Sequence, residues 1–194
     1  MSDDTIRVYD EKAADYARMV DTLKDPALEQ FMADLPAGAA LLDLGCGPGN
    51  AAAVMAAAGF AVTAVDASAE MVRLASAVEG ITVRQARFDE IDDVDAYDGI
   101  WASFSLLHAP KADFPAHLAA LKRALRPGGL LFLGLKLGEG EKVDRLGRFY
   151  AYYTEPELTG LLEAAGFAVA DTRCFEVKGM AGEFEPSIAV FARG

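Results

Sequence analysis

Residues 41–50 read Leu-Leu-Asp-Leu-Gly-Cys-Gly-Pro-Gly-Asn and carry the strongest structural signal in the chain. The apolar residues that open this stretch predict a buried strand, and the alternating glycines after them predict a turn. The alanine-rich residues 51–58 predict a helix, which Gly59 ends. A strand, a glycine-rich turn and a helix N-terminus together form a place where the backbone approaches a ligand closely.

Strands and helices continue to alternate after this stretch. Helices are predicted to begin at the N-cap Ser68 and at the capping box that opens with Thr154. Residues 89–98 and 137–153 show no clear period. Further strands are predicted at 61–65, 81–85, 99–103, 130–136, 167–175 and 187–193. Because these strands are mostly apolar, the pattern predicts an α/β fold with a parallel sheet covered on both faces.

A third helix in this alternating part carries a long apolar stripe and is predicted to end at residues 127–129, which read Pro-Gly-Gly. The stripe consists of Phe114, Leu118, Leu121 and Leu125. His117 lies on the same helix and is predicted to be a partly exposed surface residue.

Two helices are predicted before the first strand, outside the alternating unit. Residues 5–20 place apolar side chains on one helical face. Asp25 and Pro26 are typical of the N-cap and first turn of a second helix, which ends before residues 36–38, Pro-Ala-Gly. The faces of the two helices consist of Tyr9, Ala13, Tyr16 and Val20, and of Leu28, Phe31, Met32 and Leu35.

Composition bounds the possible functions. The chain has 194 residues and is 53% hydrophobic, enough for one domain with a substantial core. No apolar run is long enough to span a membrane, and residues 1–4 do not resemble a signal peptide. Cys46 and Cys174 provide neither a disulfide framework nor metal-ligand spacing. We therefore expect a soluble cytoplasmic protein with no metal site and no membrane partner.

Net charge argues against nucleic-acid partners. The formal charge is −12 at pH 7, whereas nucleic-acid binders usually present a basic surface. The alternative, that the acidity serves solubility alone, carries no functional information.

Residues 41–50 resemble motif I of the class I S-adenosylmethionine (SAM)-dependent methyltransferases. The likeness is strongest to small, single-domain members of the methyltransferase type 11 and type 12 kind, and it runs from about Tyr9 to the C-terminus. It implies a doubly wound, seven-stranded Rossmann-like sheet whose last strand is antiparallel, with two extra N-terminal helices. It also implies a single domain over 1–194, with a helical lid at 1–36, a SAM-binding half at 40–136 and an acceptor-side half at 137–194.

The resemblance, together with the chemistry of SAM, assigns candidate cofactor residues around the glycine turn. Gly45 and Gly47 are expected to admit the methionine end of SAM against the backbone. Asp43 is expected either to fix the loop or to meet the ammonium group, and Cys46 to be small and buried rather than reactive. Asp66 ends the second strand, ~20 residues after the turn, where a carboxylate that accepts from both ribose hydroxyls is expected. The alternative for Asp66 is an acid that stabilises a helix N-terminus.

The adenine site is less clearly marked. Ala67 and Met71 are expected to line the adenine, although Met71 is also consistent with plain core packing. Family members carry an acid after the third strand, often in Gly-Asp-Ala, whereas residues 86–89 here read Ala-Arg-Phe-Asp. The backbone of Arg87 and Phe88 is therefore the expected contact, and the Phe88 ring either stacks on adenine or packs inward.

The segment after the fourth strand, residues 102–108, is used by family members for SAM and substrate. Ser103 is expected to contact SAM. His108 is either the catalytic residue or a structural helix-capping histidine. The Asp/Asn-Pro-Pro-Tyr/Phe signature of enzymes that methylate base or amide nitrogens is missing here, which argues against those substrates.

Two further segments are candidates for covering the site. Residues 9–16 read Tyr-Asp-Glu-Lys-Ala-Ala-Asp-Tyr and resemble the family's Tyr-Asp-x-x-Ala-x-x-Tyr lid. Tyr16 is expected to reach the SAM carboxylate or to face the sulfonium, where an aromatic ring attracts a cation; the alternative is a docking role only. The aromatic residues 145–153 either shape the acceptor pocket or form a β-strand that packs on the lid.

The predicted function is methyl transfer from SAM to a small-molecule acceptor by in-line displacement. This reaction needs alignment and exclusion of water, and a base only when the acceptor must lose a proton. One alternative is a SAM-binding regulator or pseudoenzyme, since binding motif and acceptor site are separate. The other is a nicotinamide-dependent oxidoreductase, but residues 45–49 form G-x-G-x-G rather than G-x-G-x-x-G.

Overall fold

The computed structural model describes residues 1–20, 25–180 and 182–194. The helices are α1 (Asp3–Val20), α2 (Pro26–Ala33), α3 (Asn50–Ala57), α4 (Ala69–Ala75), α5 (Phe114–Ala124) and α6 (Glu155–Ala164). The strands are β1 (Ala40–Leu44), β2 (Ala61–Asp66), β3 (Ile81–Gln85), β4 (Tyr97–Ser103), β5 (Leu125–Lys136), β6 (Glu141–Val143), β7 (Phe149–Ala151), β8 (Ala168–Lys178) and β9 (Phe184–Arg193). The elements thus alternate from residue 40 onward, as the sequence predicts.

Seven strands form one sheet in the order β3-β2-β1-β4-β5-β9-β8. Strands β1 to β5 pair in parallel, whereas β9 lies antiparallel between β5 and β8. This confirms the predicted doubly wound α/β sheet with an antiparallel last strand. The strand order reverses between β1 and β4, and open α/β sheets bind ligands at the carboxyl ends of the strands at such a reversal.

The core lies on both faces of this sheet. On one face, the Trp101 ring stacks on Phe132 at 3.8 Å and contacts Phe31 of α2 at 5.3 Å. The opposite face buries Ile100 and Leu131 under α5 and α6. Neighbouring residues of β4 therefore point into different core layers, which is why the central strands are apolar throughout.

Helix starts follow the capping residues seen in the sequence. The Asp25 carboxylate accepts hydrogen bonds from the backbone amides at the start of α2. Ser68 accepts from the Met71 amide at 3.1 Å, and Thr154 accepts from the Glu157 amide at 3.4 Å. Each cap satisfies an amide that has no partner within its helix, which confirms these predictions.

The predicted end of α5 is wrong. The helix stops at Ala124, and Leu125 has the extended ψ of 140° that begins β5. Pro127 disfavours helical backbone at the residue before it, so the chain leaves the helix before the proline rather than at it.

The irregular structure predicted for 137–153 is also wrong in part. Strands β6 and β7 pair there as a short antiparallel hairpin. Each of these strands has only three residues and lies among glycines and charged residues. It is therefore too short to show the alternation of apolar and polar residues that predicts a strand. The predicted alternative of a strand that packs on the N-terminal helices is correct, because the Phe149 amide donates to Thr5 Oγ1 at 3.0 Å.

Cys46 and Cys174 are both free thiols. Across the described ranges, no helix is long and apolar enough to cross a membrane. Nor do any three His, Cys, Asp or Glu side chains of those ranges cluster in a way that would hold a metal ion.

Candidate active site

A cleft opens at the carboxyl ends of β1, β2 and β4, beneath α1. The empty space within it, counted together with its open mouth, is about 430 Å³. It lies at the reversal of strand order described above. The residues that line it are Met1, Tyr9, Tyr16, Gly45, Gly47, Asp66, Ala67, Met71, Phe88, Ser103, Phe104, Ser105 and His108.

The glycine turn after β1 forms the floor of this cleft. Gly45 and Gly47 have positive φ angles of 73° and 54°, which favour glycine. A Cβ added at Gly45 would lie 2.2 Å from Ser105 Cβ, and one at Gly47 would lie 3.3 Å from the Tyr16 ring. Both glycines thus permit close approach by neighbouring side chains of the cleft.

Asp66 fixes the turn from the end of β2. Its carboxylate accepts from the Gly47 amide at 2.9 Å and from the Ser68 amide at 2.9 Å. Burial raises the pKa of Asp66, and these backbone hydrogen bonds oppose the rise. The carboxylate faces the cleft with lone pairs left over, since each oxygen can accept more than one hydrogen bond.

Asp43 lies behind the same turn and is 2% exposed. Burial, and then the charge of Asp66, raise its pKa to about 7, while a hydrogen bond from the Ala52 amide opposes the rise. Asp43 Oδ2 and Ser105 Oγ are buried and have no hydrogen-bond partner within the described residues. Such atoms are costly unless a ligand satisfies them.

The adenine-side residues are only partly brought together. Ala67, Met71 and Phe88 line the cleft, whereas Arg87 does not. The Arg87 amide already donates to Glu90, at 2.7 Å, and its guanidinium holds the N-terminus through the Met1 carbonyl. Phe88 is 5% exposed, so its ring packs inward while one edge faces the cleft.

His117 is not the surface residue that its position in the sequence predicts. It is 7% exposed, and its ring meets Phe88 edge-on at a centroid distance of 5.8 Å. The cause is the short 3-10 turn Phe88–Glu90, which covers this face of α5. Burial also lowers the pKa of His117.

His108 lies in a short turn after β4 and uses both ring nitrogens. Nδ1 is 2.7 Å from the Phe149 carbonyl, which can only accept, so Nδ1 carries the proton. Nε2 therefore accepts from the Tyr9 hydroxyl, at 2.8 Å. Burial lowers the pKa of His108 to about 3, which keeps the ring neutral at pH 7.

Arg148 completes this group from the β6–β7 hairpin. Its Nη1 donates to the Tyr9 hydroxyl at 3.2 Å, and its Nη2 pairs with Asp144 at 2.6 Å. The guanidinium is 3% exposed. Tyr9 is thus held between a donor and an acceptor and presents its ring to the cleft.

Helix α1 closes over the cleft through polar contacts. Asp10 accepts from Ser68 Oγ at 2.6 Å and from the Glu70 amide at 3.1 Å. Tyr16 contacts the glycine turn, and the rings of Tyr9 and Tyr16 meet edge-on at 5.7 Å. The predicted lid residues 21–24 lie outside the described residues.

The cleft therefore gathers most of the candidate residues, with three exceptions. Asp43 and Cys46 lie behind the loop, and Arg87 faces the N-terminus. Cys46 is buried, and burial raises the pKa of its thiol. Phe104 and Ser105 also line the cleft, although the sequence does not single them out as site residues. Both lie in the segment 102–108 that is predicted to contact SAM and substrate, but no motif distinguishes them from their neighbours.

Comparison with known proteins identifies the same class of enzyme that motif I resembles. A family model described as a methyltransferase domain matches residues 16–172. A ubiquinone biosynthesis O-methyltransferase of Xanthomonas axonopodis pv. citri (strain 306) is 38% identical over 106 residues, which cover 50% of this chain. That match covers only 43% of the relative's own length.

Two solved structures are similar over almost the whole fold. The 1,6-didemethyltoxoflavin-N1-methyltransferase of Burkholderia thailandensis, with bound 1,6-didemethyltoxoflavin and S-adenosylhomocysteine, has a TM-score of 0.76 and 26% identity. This match covers 97% of this chain and 87% of that one. A SAM-dependent methyltransferase of Methanosarcina mazei has a TM-score of 0.75 over 88% of this chain and 97% of that one. At 20% identity, the second likeness concerns the fold alone.

The family model extends from α1 into β8 and includes the whole glycine turn with Asp43 and Asp66. The 1,6-didemethyltoxoflavin-N1-methyltransferase shares this fold over 97% of the chain. The chain belongs to the family of class I SAM-dependent methyltransferases.

Proposed function

We propose that this protein transfers a methyl group from SAM to a small-molecule acceptor by in-line displacement. The observation that carries the proposal is the pair of unpartnered buried atoms at the glycine turn, Asp43 Oδ2 at the end of β1 and Ser105 Oγ, whose side chain packs on Gly45. A carboxylate and a hydroxyl beside a glycine turn fit the ammonium and carboxylate end of SAM. Because buried polar atoms are costly when unpaired, a ligand that satisfies both would be stabilised there.

The other cleft residues suit the remaining parts of the cofactor. Asp66 would accept from the ribose hydroxyls, and Ala67, Met71 and Phe88 would surround the adenine. Bound SAM supplies a methyl group on a positively charged sulfur. The rings of Tyr9 and Tyr16 face the cleft and would attract that charge. Ser103 would contact the cofactor from the end of β4.

The role proposed for His108 is narrower than general-base catalysis. Its imidazole has a pKa of about 3 and both nitrogens are occupied, so it takes up a proton poorly at neutral pH. We propose that it positions the Tyr9 hydroxyl, with Arg148 on the other side. Alignment and exclusion of water by α1 would then supply most of the rate enhancement.

We further propose that three segments of the chain have different roles. Residues 1–36 would be the lid, 40–136 the SAM-binding half and 137–194 the acceptor side. The two free thiols favour a reducing compartment, so we propose that the protein acts in the cytoplasm.

The relatives support a small-molecule acceptor. One is named for ubiquinone biosynthesis, and another binds 1,6-didemethyltoxoflavin. Because the chain matches less than half of the first relative's length, its own acceptor is a proposal and not inherited from that name.

The experiment is a turnover assay with methyl-labelled SAM and a panel of phenols, carboxylic acids, amines and heterocycles, together with tRNA and DNA. We expect S-adenosylhomocysteine to form with at least one small molecule and no label to enter nucleic acid. Asp66→Ala should lower the turnover, because Asp66 lines the cleft. The control is Glu163→Ala, on the exposed face of α6 away from the cleft, which should leave the turnover unchanged. SAM binding without turnover across the panel would indicate a SAM-binding regulator instead, and label in nucleic acid would contradict the acceptor class.

A further inference from the structure

Phe104 has an unusual backbone conformation at the end of β4. Its φ is +52°, in the left-handed region that bulky residues avoid. Two close contacts hold the segment there: the Phe104 amide donates to the Gly134 carbonyl at 2.8 Å, and Ser105 packs on Gly45. Strained residues of this kind concentrate at functional sites, where the strain directs a side chain.

Phe104 lies in the wall of the cleft. It lines the cleft together with Gly45 and Ser105 and is only partly buried. On its other side it meets the Phe175 ring edge-on, with centroids 6.3 Å apart and planes 82° apart. Phe104 is therefore shared between the cleft and a second aromatic side chain.

Phe175 comes from a strand far from β4, yet it lies at the same edge of the sheet. In the strand register, Lys136 at the end of β5 pairs with Ser187 of β9, and Ser187 pairs with Phe175 of β8. The ring thus stands level with the carboxyl end of β5, where a doubly wound sheet binds ligands. It remains 39% exposed, which is unusual for a phenylalanine that only fills a core.

We infer that Phe104 and Phe175 form the surface on which a planar aromatic ring of the acceptor stacks, so that Phe104 determines acceptor specificity. An edge-to-face pair leaves aromatic surface free for a third ring, and aromatic pairs gain more than their buried area alone. The Tyr9 and His108 rings face the same cleft and would bound the acceptor's other side. This inference rests on the proposed function, because it names the class of acceptor.

The test compares two probes that differ only in aromaticity: 2-naphthol and its saturated analogue decahydro-2-naphthol. Each is titrated by calorimetry into the full chain loaded with S-adenosylhomocysteine. We expect 2-naphthol to bind at least tenfold more tightly than the saturated probe. Phe104→Ala and Phe175→Ala should each weaken 2-naphthol at least fivefold and reduce the preference, and Phe175→Ala should do so with unchanged affinity for S-adenosylhomocysteine.

Two controls separate this inference from its alternatives. Phe184→Ala removes a more exposed phenylalanine on the neighbouring strand β9, whose register partner is Lys178 rather than Phe175, and should change neither probe. Phe104→Tyr and Phe175→Leu cover the case in which an alanine variant fails to fold: the tyrosine variant should keep the preference and the leucine variant should reduce it.

Equal binding of the two probes, no binding of either, or a preference unchanged in Phe175→Leu would overturn the inference. These outcomes leave the proposed function intact as long as S-adenosylhomocysteine binds. Failure of S-adenosylhomocysteine itself to bind would reject the proposed function first.

Discussion

Among single side chains, Asp43 has the electrostatic environment that bears most clearly on binding. The pKa of its buried carboxyl is raised to about 7, chiefly by burial and then by the charge of Asp66. Only the ionised form can pair with the ammonium group of SAM. The ionised fraction of the Asp43 carboxyl rises with pH through 7.

We therefore predict that SAM affinity increases between pH 6 and pH 8 by up to about tenfold, the change in ionised fraction across a pKa of 7. Calorimetric titrations at pH 6, 7 and 8 measure it. Asp43→Asn should bind weakly at every pH and lose the dependence. An affinity that is flat, or that falls with pH in the unaltered protein, would assign the ammonium contact elsewhere.

Asp66 has two roles, since it both braces the glycine turn and faces the cleft. Asp66→Ala should weaken SAM by about 1.5–3 kcal/mol, roughly 10- to 150-fold, because hydrogen bonds to a charged group are lost. Isothermal titration of the folded variant against Glu163→Ala provides the measurement. If the two variants bind SAM equally well, the ribose contact lies at another residue.

Some site residues can be placed from the sequence alone, and others cannot. Asp66 and the glycines stand in a motif with fixed geometry, so their place at the cleft follows from the order of strand, turn and helix. The sequence does not place Arg87 correctly, because the chain lacks the usual acid directly after β3 and the Arg87 amide donates to Glu90, three residues further along. It does not predict the burial of His117 either, because Phe88, which packs on it, comes from another part of the chain and helical spacing carries no information about such a neighbour.

At the level of elements, α1 is attached to the rest of the molecule mainly by polar contacts. It buries only Thr5, Val8 and Ala13. Its hydrogen bonds run to the start of α4, to His108 and to the β6–β7 hairpin. An element with so little buried apolar area opens at low cost. Tyr9 and Tyr16 line the cleft, and we propose that they leave it when α1 opens, which would couple ligand access to this helix.

We predict that amides of residues 5–20 gain protection from hydrogen exchange when SAM is added. The gain should reach at least severalfold in exchange rate, whereas amides of β1 and β4 in the core should change little. Asp10→Ala removes the contact with Ser68 and Glu70 and should lower protection of α1 without SAM. Equal protection of residues 5–20 with and without SAM would mean that α1 is a permanent part of the fold, and Tyr16 a packing residue.

The elements that the sequence predicts are those with a clear apolar periodicity and clear caps or glycines at their ends. Strands β1 to β5 are apolar and separated by caps and glycines, so their existence follows from periodicity. The β6–β7 hairpin is held by partners from α1 and from the turn at His108, and its three-residue strands have no pattern of their own. Long-range contacts of that kind are invisible in a single sequence.

For the whole molecule, the sheet order places the glycine turn, Asp66 and the segment after β4 at one edge. Predicting that edge required only alternating elements and a parallel sheet, because parallel strands end on the same side. The antiparallel β9 required the family resemblance, since no residue of 187–193 distinguishes its direction. The proposed acceptor side has no signature in the sequence, because the residues that would form its walls come from α1, β4, the hairpin and β8 together.

The proposed function depends on which cofactor occupies the cleft. Isothermal titration of the full chain with SAM, S-adenosylhomocysteine and NAD distinguishes the methyltransferase from the oxidoreductase that a glycine-rich turn also permits. We predict that SAM and S-adenosylhomocysteine bind at one site per chain with micromolar or tighter affinity and that NAD gives no heat of binding. Binding of NAD without binding of SAM would contradict the account.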